Sequence, residues 1–335
     1  MTAVLPRRSS PGGRLALTEL GFGGAQLGNL HRAVTDAEAA GTVRAAWDAG
    51  IRYFDTAPHY GLGLSERRLG AALRSYPRDE YVVSTKVGRI LERTGRTDVP
   101  DPAGFAVPAS WRRVRDYSAG GVLRSVEESL GRLGLDRVDL VLVHDPDDHL
   151  DTAITQAAPA LSRLRDEGVI RSYGAGMNRS DLLARFVRET DADVVMLAGR
   201  YTLLEQPALD DLMPAALERG VGVVTAGVFN SGLLSRPRPA ADATYDYRIA
   251  DPEVVARATR IAAVCERHGV TLPEAAQAFS LRHPAVVCAV VGLRTRGQVQ
   301  DCVARHRRPV PEELWAELRD CGLLREEVPA GRRNP

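Results

Sequence analysis

The chain has 335 residues, 44% of them hydrophobic and 26% charged, which excludes a disordered, collagenous or disulfide-stapled protein. Its 44 Lys+Arg against 43 Asp+Glu leave a formal charge of +1, too little to draw nucleic acid or an anionic membrane. The length fits two domains of about 150 residues or one elaborated barrel of about 250, and Lys86 is the only lysine among the cations.

The N-terminal MTAVLPRRSSPGGR carries Arg7 and Arg8 without an apolar run behind them, so no secretory signal is expected. Short runs rich in Val and Ile then alternate with longer segments of helical period. Strands are predicted over 17–22, 51–55, 81–85, 138–143, 169–175, 194–197, 221–225 and 286–291. Between them Val122, Val126, Leu130 and Leu133, and further on Ile154, Leu161 and Leu164, recur as the buried stripe of a helix does. Eight βα units in series favour an α/β fold of the (β/α)₈ TIM barrel type, one domain over 1–335, rather than a doubly wound sheet with a cap. Two stretches break the alternation, 88–121 and 235–252, both proline-bearing and both behind strands. They are predicted to be long lid loops at the C-terminal mouth. The cysteines, Cys265, Cys288, Cys302 and Cys321, form no C-x-x-C pair, so a cytoplasmic, reducing setting is expected, with the tail beyond Arg325 an exposed terminus.

The chemistry gathers at the predicted strand ends. Strand 51–55 delivers Asp55, and Tyr60 follows it in the loop; alone these would be a turn carboxylate and a packed ring. Strand 81–85 runs straight into Lys86, a cation that is expensive to bury unless paired, with Asp55 on the preceding strand as the natural partner. An ammonium held there would lower the pKa of Tyr60 from its free value of about 10 and fit it for proton transfer. Strand 138–143 ends in His144, placed to hydrogen-bond a substrate oxygen, while Asp145, Asp147, Asp148 and His149 read as solvated turn residues rather than ligands, so no metal is expected.

The set Asp55, Tyr60, Lys86 and His144, carried by FDTAPHYG, STK and LVHD, resembles the catalytic tetrad of the aldo-keto reductases, and the likeness runs over nearly the whole chain. Within that superfamily KVGR, SLGRLGLDRVDLVLVHDPDD, GAGMN, LAGRYTLLEQ and FNSGLL resemble the D-threo-aldose 1-dehydrogenase group, which includes L-fucose, L-galactose and pyridoxal dehydrogenases. The resemblance implies a barrel that binds NAD or NADP across its mouth and moves a hydride between the nicotinamide and a carbonyl or lactol carbon, most simply aldose oxidation at C1. It assigns Asn178 to the nicotinamide carboxamide and Phe229, Asn230, Ser231, Gly232 and Leu233 to the pyrophosphate. Gly292, Arg294, Thr295 and Gln298 fall to the adenosine end. Gln298 stands where an arginine clamps the 2′-phosphate of NADP, which favours NAD, although Arg294 and Arg296 could also grip a phosphate. Ala226 and Ala198 replace the aromatic and the glutamine that pack the nicotinamide, and Cys302 replaces an asparagine near adenine.

Arg89, Trp111, Tyr117 and Tyr245, with Phe105 and Tyr247, are the candidate substrate walls. The expected partner is a small sugar or aldehyde, with the chain a monomer or small homo-oligomer. Competing readings are a pyridoxal 4-dehydrogenase, a carbonyl reductase of specialised metabolism, a Schiff-base barrel using Lys86, and a non-catalytic nicotinamide-sensing subunit.

Overall fold

A computed structural model describes residues 4–240, 242–246 and 248–325; Tyr247 and the tail beyond Arg325 lie outside them. Eight parallel strands form a closed barrel. They are β1 (Leu20–Gly23), β2 (Tyr53–Asp55), β3 (Val82–Val87), β4 (Leu140–His144), β5 (Ser172–Met177), β6 (Val194–Ala198), β7 (Gly222–Ala226) and β8 (Val286–Gly292). Neighbours pair in chain order and β8 closes on β1, with Gly292 opposite Gly23.

The predicted first strand is divided. Ala16–Thr18 leaves the barrel to pair with Arg7–Ser9 in an antiparallel hairpin, and Leu17, with the preceding Leu15, plugs the interior from below. Alternation along the strands then sorts two cores. Tyr53, Val82, Leu140, Leu142, Val194, Met196, Val224 and Val290 fill the barrel, while the opposite faces pack against the surrounding helices. Period two carries the same inward face upward from Tyr53 to Asp55, from Ser84 to Lys86, from Leu142 to His144, from Met196 to Ala198 and from Val224 to Ala226. Five of the barrel strands thus end with an inward-facing position turned to the mouth.

Helix α1 (Asp36–Asp48) starts on a capping box in which Thr35 Oγ1 accepts from Glu38 N and Glu38 accepts from Thr35 N. Helix α2 (Leu64–Leu73) follows β2, and helix α3 (Ala119–Leu133) carries Val122, Val126 and Leu133 into the outer core.

The 88–121 stretch is not an open loop. Arg89–Arg93 and Trp111–Arg115 pair as an antiparallel arm, and Asp101, between them, is buried against Arg113 at 2.6 and 2.7 Å. In the second stretch Thr244–Tyr245 and Arg248–Ile249 form a short hairpin. No described helix is long and apolar enough to cross a membrane.

Candidate active site

Lys86 and Asp55 meet at the top of β3 and β2 with side chains only 2% and 3% exposed. The ammonium donates to Asp55 Oδ1 at 2.8 Å, to Oδ2 at 2.6 Å and to the Thr56 carbonyl at 2.9 Å. Ser84 Oγ donates to the same carboxylate at 2.7 Å, so the Tyr53 hydroxyl, 3.0 Å from Ser84 Oγ, is the donor behind it. A directional chain of hydrogen bonds therefore fixes Asp55 from inside the barrel. Burial lowers the affinity of Lys86 for its proton, but Asp55 and Tyr60 outweigh that and hold its pKa above the ordinary value.

Tyr60 stands with His59 just beyond a run of eight buried residues and is half-buried, with the Lys86 ammonium 4.8 Å from its ring centre. Backbone contact holds it there: Gly28 lies so close that a Cβ on it would stand 2.5 Å from the Tyr60 carbonyl carbon, and Gly61, at φ +62, faces the Gly28 carbonyl in the same way. The expected lowering of the phenol pKa is not what the site produces. Burial pushes Tyr60 up to about 12, with Lys86 pulling down against it and Asp55 adding to the rise. Before any ligand binds, Tyr60 is a neutral phenol.

His144 is buried with its Nδ1 lacking a partner among the described residues, and Nε2 is 3.6 Å from Asp145 Oδ2. Its ring is 5.9 Å from that of Tyr60, nearly perpendicular to it. Burial, with Arg89 and Lys86 nearby, drops its pKa well below the usual range, so it is a neutral hydrogen-bonding ring.

The candidate substrate residues divide. Arg89 ion-pairs with Asp145 at 2.5 Å and reaches His59 Nδ1 at 3.2 Å. Phe105, carried in by the arm, packs 5.3 Å from the His59 ring and 6.2 Å from Tyr60. Tyr117 is instead a strut: it is buried, and its hydroxyl shares one proton between the carbonyls of His144 at 2.8 Å and Asp145 at 2.9 Å. Its ring lies over Gly88, where a Cβ would come within 2.2 Å of it. Trp111 sits at the outer end of the arm beneath the Arg93 guanidinium, 4.9 Å away. Tyr245 is tied to Glu205, beside the Arg200–Asp246 pair at 2.7 Å. The sequence reading missed the His59 and Arg113 side chains and the Gly28–Gly61 backbone contact; His59 and Gly61 lay inside a recognised motif, Arg113 and Gly28 did not.

The residues assigned to a nicotinamide cofactor ring the mouth. Asn178 is exposed just beyond β5. Asn230, Ser231 and Gly232 have φ of 45, 58 and 99, a turn in which backbone N–H groups can gather round an anion, and the buried Asn230 Oδ1 lacks a partner among the described residues. A Cβ on Gly292 would fill the space taken by Gln26, 2.7 Å away. Thr295 Oγ1 accepts from Gln298 N at 3.2 Å, opening the helix Arg296–Arg307. Gln298 Oε1 accepts from Arg294 N at 2.7 Å, and Arg294 Nη2 donates to the Leu30 carbonyl at 2.6 Å. Cys302 is buried against Gln277. A turn of gathered N–H groups beside an unpartnered side-chain carbonyl suits the phosphates and amide of a dinucleotide.

Two further clefts, of about 300 and 430 Å³, lie around Asp191 and Arg219 below the barrel. Their charges answer one another, as in Arg165–Asp191 at 2.5 Å and Arg14–Asp193 at 3.1 Å, and none of the groups above reaches them.

Residues 19–322 match the model of the aldo/keto reductase family. The chain is 48% identical over 330 residues to the D-threo-aldose 1-dehydrogenase of a Pseudomonas species, covering 97% of this chain and 99% of that one. It is 40% identical to the pyridoxal 4-dehydrogenase of Microbacterium luteolum, over 92% and 95% of the two chains. Among solved structures, an aldo-keto reductase from Bacillus halodurans in its holo form superposes with a TM-score of 0.72 at 25% identity, over 98% of this chain and 100% of that one. A glycerol dehydrogenase from Gluconobacter oxydans, 24% identical, shares the fold with a TM-score of 0.76 over 98% of each chain.

Proposed function

Because the chain belongs to the aldo/keto reductase family and is an oxidoreductase of it, we propose that it oxidises an aldose at C1 to the lactone, with NAD preferred. Members of the family use a nicotinamide cofactor, and a bound NAD supplies the hydride acceptor. The observation that carries the reading is the meeting of Tyr60, Lys86, Asp55 and His144 at one strand-end mouth. The likeness to an aldose 1-dehydrogenase along 97% of the chain supports the substrate class.

Tyr60 is the proton-handling group. In oxidation it accepts the proton of the lactol hydroxyl as the C1 hydrogen leaves with its electron pair, and in reduction it returns that proton. Its protonated resting state suits the reductive direction, so oxidation is expected to climb with pH as the phenol loses its proton. Lys86 favours phenolate through its charge, and Asp55 keeps that charge in place. Neutral His144 orients the reacting oxygen. Two features support NAD over NADP: Gln298 is engaged with Arg294 N, and the Arg294 guanidinium is drawn to the Leu30 carbonyl, so neither is presented to a 2′-phosphate.

The test follows nicotinamide absorbance with D-threo-aldoses, L-fucose, pyridoxal and simple aldehydes, with NAD and NADP in parallel. Aldose turnover with NAD is expected, and replacement of Tyr60 by Phe is expected to lower kcat by about 10³. Full turnover in Tyr60→Phe would overturn the mechanism, and a clear preference for pyridoxal would replace the substrate.

A further inference from the structure

We propose that His59 reads the substrate directly, donating its Nε2–H to a hydroxyl on the carbon next to the reacting one; the inference rests on the reacting centre described above, not on which sugar fills it. His59 directly precedes Tyr60, and after the buried run before them these two are the residues that open to the mouth. Its ring is 6.0 Å from Tyr60 and 5.5 Å from His144. An oxygen held between Tyr60 and His144 therefore places the adjoining carbon and its substituent toward His59.

The ring's chemistry is dictated by what holds it. Arg89 Nη1 stands 3.2 Å from His59 Nδ1, and a guanidinium has no acceptor to offer. Nδ1 is therefore the acceptor and the neutral ring carries its proton on Nε2, which has no partner among the described residues. The backbone is gripped as well, with Arg113 Nη2 donating to the His59 carbonyl at 2.8 Å. Each arginine is braced by a carboxylate: Arg89 by Asp145 at 2.5 Å, Arg113 by Asp101 at 2.6 Å. Burial comes first, then the charges of Arg89, Arg113 and Lys86, in pressing the His59 pKa down to about 2. His59 is thus a donor of fixed tautomer whose charge does not change through the working range. A ring that only packed against Phe105 would have no need of this arrangement; a group that must present one N–H in one direction does.

Such a donor discriminates by what it loses when the hydroxyl is missing. The test compares reduction of 2-hydroxypropanal with reduction of propanal, which differ only in that hydroxyl, by the full chain with its nicotinamide cofactor. The expected result is that the ratio of the two kcat/KM values falls about tenfold in His59→Phe and stays within about threefold of wild type in His59→Gln, whose amide keeps both an acceptor and a donor. Histidine ¹⁵N spectra of the unaltered protein, with His59 assigned by its loss in His59→Gln, should show a neutral Nε2–H ring from about pH 5.5 to 8. An unchanged ratio in His59→Phe, an equal loss in His59→Gln, or a ring that carries its proton on Nδ1 or titrates near 6.5 would each overturn the proposal. Since both probes are simple aldehydes, failure of aldose oxidation would remove the sugar reading and leave this comparison standing.

Discussion

The floor of the mouth and the arm above it are both built from ion pairs, yet in different ways. On the floor, Lys86 and Asp55 are almost wholly buried, flanked by Ser84 and Tyr53, and fixed by two adjacent barrel strands. In the arm, Arg113–Asp101, Arg112–Glu92 and Arg89–Asp145 hold a two-stranded hairpin that belongs to no larger sheet. The floor therefore cannot loosen without opening the barrel, whereas the arm can loosen alone. The Tyr60–Lys86–Asp55 group sits on the first, while the second brings Arg89 and Phe105 against His59.

The sharpest way to break this comparison is at Lys86. Lys86→Arg puts a planar fork where a compact ammonium meets one carboxylate and one carbonyl, and kcat is expected to fall about 10³ in both directions. Near-normal turnover would show that any cation serves. Lys86→Met strands a buried carboxylate and should cost about 3–5 kcal/mol of global stability, read by urea unfolding.

Arg113→Met strands Asp101 in the same chemical sense, but the arm absorbs the loss by local opening. KM for the substrate is expected to rise about tenfold and the arm to become a preferred site of limited proteolysis, with the global urea midpoint little changed. If the midpoint falls as far as in Lys86→Met, floor and arm are one cooperative unit and the comparison fails.

Acid probes the barrel from another side. His283, 3% exposed, has its pKa pressed from 6.5 to about 4 by burial alone. Between those values the unfolded chain binds a proton at this histidine that the folded one refuses, so His283 alone lowers stability by about 3 kcal/mol at most as the pH drops from about 6.5 to 4. In His283→Gln that slope should flatten in pH-dependent urea unfolding. The smallest effect is expected for Tyr117→Phe: losing a hydroxyl shared between two carbonyls should cost about 1 kcal/mol. It should also loosen His144, seen as a loss in kcat greater than in KM.

The barrel was readable because parallel strands buried on both faces are continuous apolar runs, as 140–143 and 286–291 are. Asp55 and Lys86 stood out for the complementary reason: charges at the end of such runs demand a partner. Boundaries were less legible, since 17–22 reads as one short strand although Leu17 plugs the barrel from the N-terminal hairpin and Leu20–Phe22 join the barrel wall. The arm was not legible. RILER and WRRVR are arginine-rich and carry little alternation, because the pair is held by charge pairs such as Arg112–Glu92 and Arg113–Asp101 rather than by an apolar face. Tyr60 invited the inference of a lowered pKa from its neighbours alone; how far packing keeps water from its hydroxyl is a property that no motif records. His59 was hidden by the same motif, where it reads as one more loop residue until Arg89 is seen to face it.

Asp116 N donates to the Gly88 carbonyl at 3.1 Å, and the Tyr117 ring lies over Gly88, so the chain leaves the barrel and re-enters it at a single pinched point. A segment tied off in this way is a cassette: its interior can be rewritten or exchanged while the barrel strands keep their register. Diversification of substrate choice in such a molecule need not pass through intermediates with damaged proton chemistry. A graft of a foreign segment between Gly88 and Asp116 should therefore inherit the rate-giving groups intact and bring only its own preferences.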